Sequence, residues 1–138
     1  MNPIIPGPIS SFSDLQTIEQ TPIESRNLPE TSYHLLVNSA KQFGDKIALR
    51  FLPQASLDET SITFSYHQLL EKVHQTANAF YQLGIAKDDV VSMLLPNLPQ
   101  THFTLWGGEA AGIINPVNPL LEVEHIVSIV DETRSQVL

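Results

Sequence analysis

The sequence contains no cysteine, few basic residues and no long apolar run, and each absence excludes a class of protein. Without cysteine there can be no disulfide, thiolate metal ligand or cysteine nucleophile. Seven basic residues against fifteen acidic ones give a formal net charge of −8. That charge argues against nucleic-acid partners and anionic membranes, because both require clustered cations. No apolar run reaches the ~18 residues of a transmembrane helix, and the first basic residue is Arg26, unlike the charged start of a signal peptide. These features predict a soluble, cytoplasmic, acidic globular protein.

The first 30 residues differ from the rest and are called the leader here. They contain half of the ten prolines of the chain and show no regular spacing of apolar residues. Proline removes a backbone donor and interrupts both helices and strands. The leader is therefore predicted to be extended or disordered, with at most one short turn near residues 11–18. Two interpretations remain open: a disordered tail, or a strap that lies on a larger body.

From residue 31 onward, apolar spacing and capping residues predict alternating strands and helices. The predicted elements are a helix from Thr31 or Ser32 to Gly44, strands at 46–51 and 61–64 joined as a hairpin, a helix from Ser65 to Gly84, a strand at 90–95, a helix from Asn97 or Leu98 to Gly112, a short strand from Ile113, a helix at 122–133 and the start of a strand at 136–138. Apolar strands that alternate with helices are typical of an α/β fold with a mostly parallel sheet and flanking helices.

The strand at 90–95 is apolar almost throughout, which is typical of a strand covered on both faces. The helices predicted here cover one face of such a sheet well and the other poorly. The pattern therefore predicts that residues 31–138 are the front part of a larger domain, with self-association through uncovered sheet as a second consequence.

Three asparagines follow or end strands and are candidates for contact with a ligand: Asn97, Asn115 and Asn118. Open α/β sheets bind ligands beyond the carboxyl ends of their strands. Asn115 and Asn118 each precede a proline, which favours extended backbone and leaves the side-chain amide free to cap a turn. Turn architecture and ligand contact both remain open for the three residues.

Other conspicuous residues favour structural roles. Gly107 and Gly108 lie inside a predicted helix and lack the Lys-Ser/Thr of a phosphate loop, which favours close helix packing. Trp106 shares the apolar stripe of Phe103, which favours the core. His67 and His74 are seven residues apart on one helix, about 10.5 Å along its axis, too far to bind one metal ion. No catalytic, cofactor-binding or metal-binding residue is predicted.

Three stretches resemble the N-terminal region of the AMP-forming acyl-CoA synthetases, within the adenylate-forming ligase superfamily. Residues 63–70, TFSYHQLL, are similar to the T-F/Y-x-E-L opening of a helix in that family. Residues 88–100, DDVVSMLLPNLPQ, are similar to its G-D-x-V-x-x-x-L-P-N-x-P-E turn, with Asp88 in place of Gly and Gln100 in place of Glu. Residues 106–119, WGGEAAGIINPVNP, are similar to its A-G-A-x-x-x-P-x-x-P segment and are closest in wording to fatty-acyl and aryl-acid CoA ligases.

The resemblance implies an activity for the complete enzyme. Family members react a carboxylic acid with ATP to give an acyl-adenylate and pyrophosphate, and the thiol of coenzyme A then displaces AMP. ATP, Mg²⁺ and coenzyme A are the implied cofactors of that enzyme. The phosphate loop ending in Lys-Gly, the Y-G-x-T-E motif, the ribose-binding Asp and the C-terminal catalytic Lys have no counterpart in this sequence.

Two functions follow from the sequence. The first is an N-terminal fragment of an acyl-CoA synthetase, inactive alone, whose partner is the remainder of the ligase domain. The second is a stand-alone interaction or regulatory module derived from that subdomain, with a full-length homologue as partner. A complete small nucleotide-binding enzyme is disfavoured, because the turn after Phe64 contains no glycine.

Overall fold

The computed structural model describes residues 7–26, 28–54, 56 and 58–138. These residues form five α-helices, one short 3₁₀-helix and four strands, which confirms the predicted α/β class. In chain order the elements are α1 Phe12–Glu19, the 3₁₀-helix Ile23–Arg26, α2 Ser32–Phe43, β1 Ile47–Phe51, β2 Ile62–Ser65, α3 Tyr66–Gln82, β3 Val90–Met93, α4 Pro99–Ala111, β4 Ile113–Pro116 and α5 Val123–Glu132. Residues 1–6 and 27 of the predicted leader lie outside the described residues.

The leader is more regular than predicted, because local side-chain bonds compensate for its prolines. Where one short turn is expected near residues 11–18, the structure has the eight-residue helix α1. Ser11 and Asp14 form a reciprocal capping box at its start. At the other end, the Arg26 guanidinium donates to the carbonyls of Ile18, at 2.5 Å, and Thr21, at 3.0 Å. These bonds satisfy the terminal backbone groups that an isolated helix leaves unpaired.

Strands β1 and β2 form the predicted antiparallel hairpin, with Phe51 opposite Ile62 and an irregularity between Ile47 and Leu49. The pairing continues into the start of α3, where Tyr66 N–H donates to the carbonyl of Lys46 at 3.1 Å. The hairpin and the first turn of α3 are thus joined by backbone hydrogen bonds.

The predicted mostly parallel sheet is divided into two sheets of two strands each. Strands β3 and β4 are parallel and in register, from Val90 opposite Ile113 to Met93 opposite Pro116. Val137 adds a parallel bridge on the other side of β3, opposite Val91, which confirms the strand start predicted at 136–138. The predicted parallel pairing is thus found between β3, β4 and Val137, while β2 pairs with β1, its neighbour in the chain, as the predicted hairpin.

The core lies between the hairpin, α3 and α4. Leu69 and Val73 of α3 pack against Phe103 of α4, and Phe103 meets the ring of Phe64 edge to face, with 5.1 Å between ring centroids. Trp106 is half-buried against the same cluster, which confirms its predicted core position.

Helix α5 is different, because none of its residues is buried. Val123 and Val127, one turn apart on its apolar side, are 69% and 52% exposed. Among the described residues, no helix has both the length and the hydropathy needed to cross a bilayer.

Candidate functional site

The candidate site is the carboxyl edge of the parallel sheet, formed by residues 94–97 after β3 and residues 117–118 after β4. The two strands end together because Met93 is opposite Pro116 and Val117 N–H donates to the carbonyl of Met93 at 2.9 Å. The chain leaves β3 for β4 on one side and returns to Val137 on the other. Strand β3 is therefore the point where the direction of connection reverses, the position at which open α/β sheets bind ligands.

A groove of about 440 Å³ opens beside the carboxyl end of β3. Its walls are mainly apolar side chains of α3, β3 and the final residues, including Phe80, Met93, Leu95 and Val137, with Thr104 contributed by α4. Such an apolar lining is typical of a surface that packs against another apolar element.

Asn97, the first candidate, is exposed and lies in the bend between β3 and α4. The start of α4 is held instead by Thr101, a residue that the sequence analysis did not single out. Leu98 N–H donates to Thr101 Oγ1 at 3.3 Å, and the Thr101 hydroxyl donates to the carbonyl of Pro96. Asn97 makes no side-chain hydrogen bond within the described residues, so its amide is available at the edge.

Asn118 forms a local turn. Its Oδ1 accepts a hydrogen bond from Leu120 N–H at 3.0 Å, the arrangement of an Asx turn. This bond is the turn architecture that was one of the two interpretations of Asn118. Contact of Asn118 with a ligand stays a prediction.

Asn115 lies within β4, not after it. Its side chain contacts three hydroxyl-bearing residues, and we call these four residues the polar cluster: Ser92, Asn115, Thr133 and Ser135. Asn115 Nδ2 donates to Ser92 Oγ at 2.9 Å and reaches Thr133 Oγ1 at 3.5 Å. Ser135 Oγ shares hydrogen bonds with Ser92 Oγ at 2.6 Å and Thr133 Oγ1 at 2.8 Å. The cluster joins β3, β4 and the chain just after α5, so Asn115 holds these elements together.

Ser92 is the buried polar residue of the sheet, at 2% exposure. Burial of a hydroxyl without a partner costs roughly 1–3 kcal/mol, and here each hydroxyl of the polar cluster has one. Ser92 was detectable in the sequence as the one polar residue in the run 90–95. Thr133 and Ser135 carry no comparable signal, because their role depends on where α5 ends.

The glycines of α4 and Gly112, which follows α4, allow close packing, as predicted for Gly107 and Gly108. A Cβ on Gly107 would lie 2.6 Å from Cβ of Thr76, and one on Gly108 would lie 2.6 Å from Cδ1 of Ile114. At Gly112 the close approach involves backbone atoms, which cannot rotate away. A Cβ there would lie 2.7 Å from the carbonyl oxygen of Asp89 and 2.9 Å from that of Ala86. These approaches bring α4 onto α3 and onto the parallel sheet.

The two histidines of α3 have separate partners. His67 Nδ1 lies 3.5 Å from Asp45, and His74 Nε2 shares a 3.0 Å hydrogen bond with the Tyr33 hydroxyl.

The edge itself offers neutral amides and proline, without a cationic side chain in residues 94–97 or 117–120. Pro96, Pro99, Pro116 and Pro119 surround it, and proline has no N–H to donate. A polyphosphate needs cations or several aligned N–H groups. Residues 94–97 and 117–120 therefore supply no cation to a polyphosphate.

Two of the characterised proteins to which this chain is similar are acid–CoA ligases. The chain is 38% identical over 133 residues to a marinolic acid–CoA ligase of Pseudoalteromonas sp. (strain SANK 73390), a match that covers 96% of this chain and 20% of that protein. It is 36% identical over 100 residues to a crotonobetaine/carnitine–CoA ligase of Salmonella typhi, covering 72% of this chain and 19% of the relative. The chain thus spans about a fifth of the length of these relatives.

Solved structures share the fold. The N-terminal domain of FACL13 from Mycobacterium tuberculosis superposes with a TM-score of 0.66 at 22% identity, over 76% of this chain and 25% of that one. The N-terminal subdomain of NpsA from Klebsiella oxytoca, in complex with anthranilyl-AMSN, gives 0.64 at 19% identity, over 76% and 26% of the two chains. The observed elements therefore share the fold of part of these N-terminal domains.

A sequence profile for AMP-binding enzymes matches residues 36–138, most of the folded part of the chain. The profile contains the three stretches on which the resemblance rests and the whole carboxyl edge. Together with two CoA ligases above 30% identity, it places the chain in a family: this chain belongs to the AMP-binding enzymes.

Proposed function

We propose that these residues are the N-terminal part of an ATP-dependent ligase that joins a carboxylic acid to coenzyme A, releasing AMP and pyrophosphate. The observation that carries the proposal is the match of 133 residues at 38% identity to an acid–CoA ligase. The crotonobetaine/carnitine–CoA ligase supports the same reaction class with a different acid. Because the relatives act on unlike acids, the proposal names a carboxylic acid and no particular one.

Within that ligase, the described residues act as a scaffold. ATP, Mg²⁺ and coenzyme A are the cofactors that we propose for the complete enzyme. The described residues of this chain do not have the side chains that would bind ATP phosphates or Mg²⁺. The carboxyl edge has no cation and is rich in proline. Moreover, no group of three or more His, Asp or Glu side chains suited to a metal ion occurs among the described residues. We infer that the charges of ATP are neutralised by the remainder of the ligase domain.

The contribution of this chain is then to hold one wall of the site. Gly107 and Gly108 let α4 sit close to α3 and β4, and the polar cluster holds β3, β4 and the end of α5 in one arrangement. A rigid wall that positions the substrate contributes to catalysis, because a displacement of the reacting groups by ~1 Å can lower the rate about a hundredfold. Of the three asparagines, the exposed Asn97 is the one that we propose for contact with a substrate, while Asn118 uses its Oδ1 in a turn.

The location that we propose is the cytoplasm, and the partner is the remainder of the ligase domain. The absence of cysteine from the chain is compatible with a reducing compartment. The groove beside β3 and the apolar side of α5 are the surfaces that the remainder would cover. The alternative, a stand-alone interaction module, finds no support in the comparisons.

The test is acid-dependent exchange of pyrophosphate into ATP, with a panel of aliphatic and aryl acids. It is run on the 138-residue chain and on the product of the open reading frame that contains it. We expect exchange with at least one acid for the longer product and none for the chain alone. Exchange by the 138 residues alone would contradict the scaffold role. A longer product that forms no acyl-CoA or adenylate from any acid tested would contradict the reaction class.

A further inference from the structure

The leader presents an apolar surface that nothing in the described structure covers. Phe12 and Leu15 are one turn apart on α1 and are 74% and 41% exposed, and Ile23 of the 3₁₀-helix is 62% exposed. Helix α1 buries no residue. Among the described residues, no hydrogen bond joins 7–26 to the folded part from residue 31 onward.

The same segment is carefully capped, which is unusual for a tail. Isolated helices shorter than ~12 residues are marginal in water, yet α1 has a capping box at Ser11 and the Arg26 guanidinium at its C-terminus. The match to the marinolic acid–CoA ligase covers 96% of the chain and so includes most of the leader, which lies before the family profile begins at residue 36. The leader thus behaves as a preformed element with an empty apolar side.

Charge indicates the chemistry of what covers it. The leader carries Asp14, Glu19, Glu24 and Glu30, and its only cation, Arg26, is engaged in capping α1. The folded part is acidic as well, since the whole chain has a net charge of −8. A second copy of this chain, or its own folded part, would repel the leader. A surface with an apolar centre and basic residues around it would attract the leader.

Size indicates that this surface belongs to the same polypeptide. A helix of eight residues is about 12 Å long, too small to supply the roughly 800 Å² per partner that stable complexes between separate proteins bury. A covalent link raises the effective concentration of such a weak element to about the millimolar range. An element of this size is therefore best suited to docking within its own chain.

We propose that the leader is a strap whose Phe12, Leu15 and Ile23 dock into an apolar groove with a basic rim, on the remainder of the ligase outside residues 31–138. The inference rests on the proposed function, because that remainder is part of it. Glu19, which lies on the same side of α1 as Phe12 and Leu15, meets the basic rim. The strap holds the first helix of the N-terminal domain against the rest of the enzyme.

The test is amide hydrogen exchange of α1 in the intact ligase, compared with a peptide of residues 7–30. Docking predicts that exchange of the α1 amides is slowed about tenfold or more in the ligase, because docking must open before exchange. Phe12→Ala with Leu15→Ala is expected to remove that protection. Alanine is a good helix former, so the loss would report docking and not melting of α1. Thr17→Ala, at an exposed position on the opposite side of α1, is the matched control and should keep the protection.

Four results would contradict the strap. Leader amides that exchange equally fast in the ligase and in the peptide would show no docking. Equal protection in the 138-residue chain would place the groove on residues 31–138, and protection that disappears on dilution would indicate a second copy. Glu19→Lys should lower protection, and unchanged protection would refute the basic rim. If the ligase is active but the amides of the leader are not protected, only the strap is refuted. If the protein shows no acid-dependent exchange of pyrophosphate into ATP, the proposed function is refuted.

Discussion

Helices α4 and α5 have apolar residues at similar spacing but meet different surroundings. Helix α4 buries Phe103, Gly107 and Gly108 against α3 and the parallel sheet. Helix α5 buries nothing, and the chain after it is held by hydroxyls of the polar cluster. Helix α1 resembles α5 in this respect. The difference teaches that an apolar stripe identifies a helix that needs a partner, without identifying the partner.

The largest expected loss of stability is at the C-terminus of the packed helix α4. Gly112→Ala should destabilise the protein by about 3 kcal/mol, because overpacking against rigid atoms costs 1–3 kcal/mol or more and the new Cβ meets the carbonyls of Asp89 and Ala86. Gly108→Ala is the control: its Cβ meets the movable end of Ile114, and the gain in helix propensity of about 1 kcal/mol offsets the contact. Urea unfolding measures both, and equal losses for the two variants would contradict the packing argument.

A second prediction compares the same chemical change on α3 and α5. Val73→Ala should cost about 2 kcal/mol, because Val73 is 0% exposed and its methyl groups leave a cavity. Val127→Ala, at a half-exposed position, should cost less than about 0.5 kcal/mol in the 138-residue chain. In the longer ligase the cost of Val127→Ala should rise toward that of Val73→Ala. If the cost stays the same in both proteins, the remainder of the domain does not cover α5.

A third prediction separates the candidate asparagines. Asn115→Ala should lower stability by about 1–2 kcal/mol, because Ser92 and Thr133 lose a buried partner. Asn97→Ala should leave the free energy of unfolding unchanged, since Asn97 is exposed. In the ligase, the KM for the acid or for coenzyme A should rise with Asn97→Ala if its amide contacts either one. An unchanged KM and kcat would assign Asn97 to the bend alone.

The smallest effect concerns the local bonds of α1. Hydrogen bonds from Ser10 and Ser11 hold the pKa of Asp14 below its ordinary value of 3.8. A lowered pKa in the folded helix means that ionised Asp14 stabilises the cap above pH 3.8 and that this contribution is lost as the pH falls below that value. We expect the capping amides of Ser10 and Ser11 to shift in an NMR titration over that acidic range. Asp14→Asn should abolish the shift, and a titration midpoint above 3.8 would contradict the cap.

Much of the local structure was predictable because its causes lie within a few residues. Ser65 and Gln68 form the expected capping box, and Gly84 follows α3 in a left-handed conformation with φ of 87°. The hairpin and the order of strands and helices after Ser65 are as expected. The leader was predicted less well, because a cation eight residues away from Ile18 caps α1.

The candidate site was predictable only in part. The sequence placed Asn97, Asn115 and Asn118 at one edge of the sheet, whereas the structure has Asn97 and Asn118 beyond the ends of β3 and β4 and Asn115 within β4. It also separates their roles, with Asn115 inside the polar cluster and Asn118 in its own turn. Thr133 and Ser135 could not be found, because their hydroxyls reach Ser92 only after α5 has returned the chain to β3.

The helices and strands from residue 31 onward, the acidic charge and the resemblance to a family could be read from the amino-acid sequence, since periodicity, caps and motifs act over short stretches of chain. Tertiary contacts were needed to show that the strands form two separate sheets, that α4 is packed and α5 is open, and that Asn115 joins the polar cluster. These features depend on which distant segments meet, and that choice is made by the summed contacts of the folded chain.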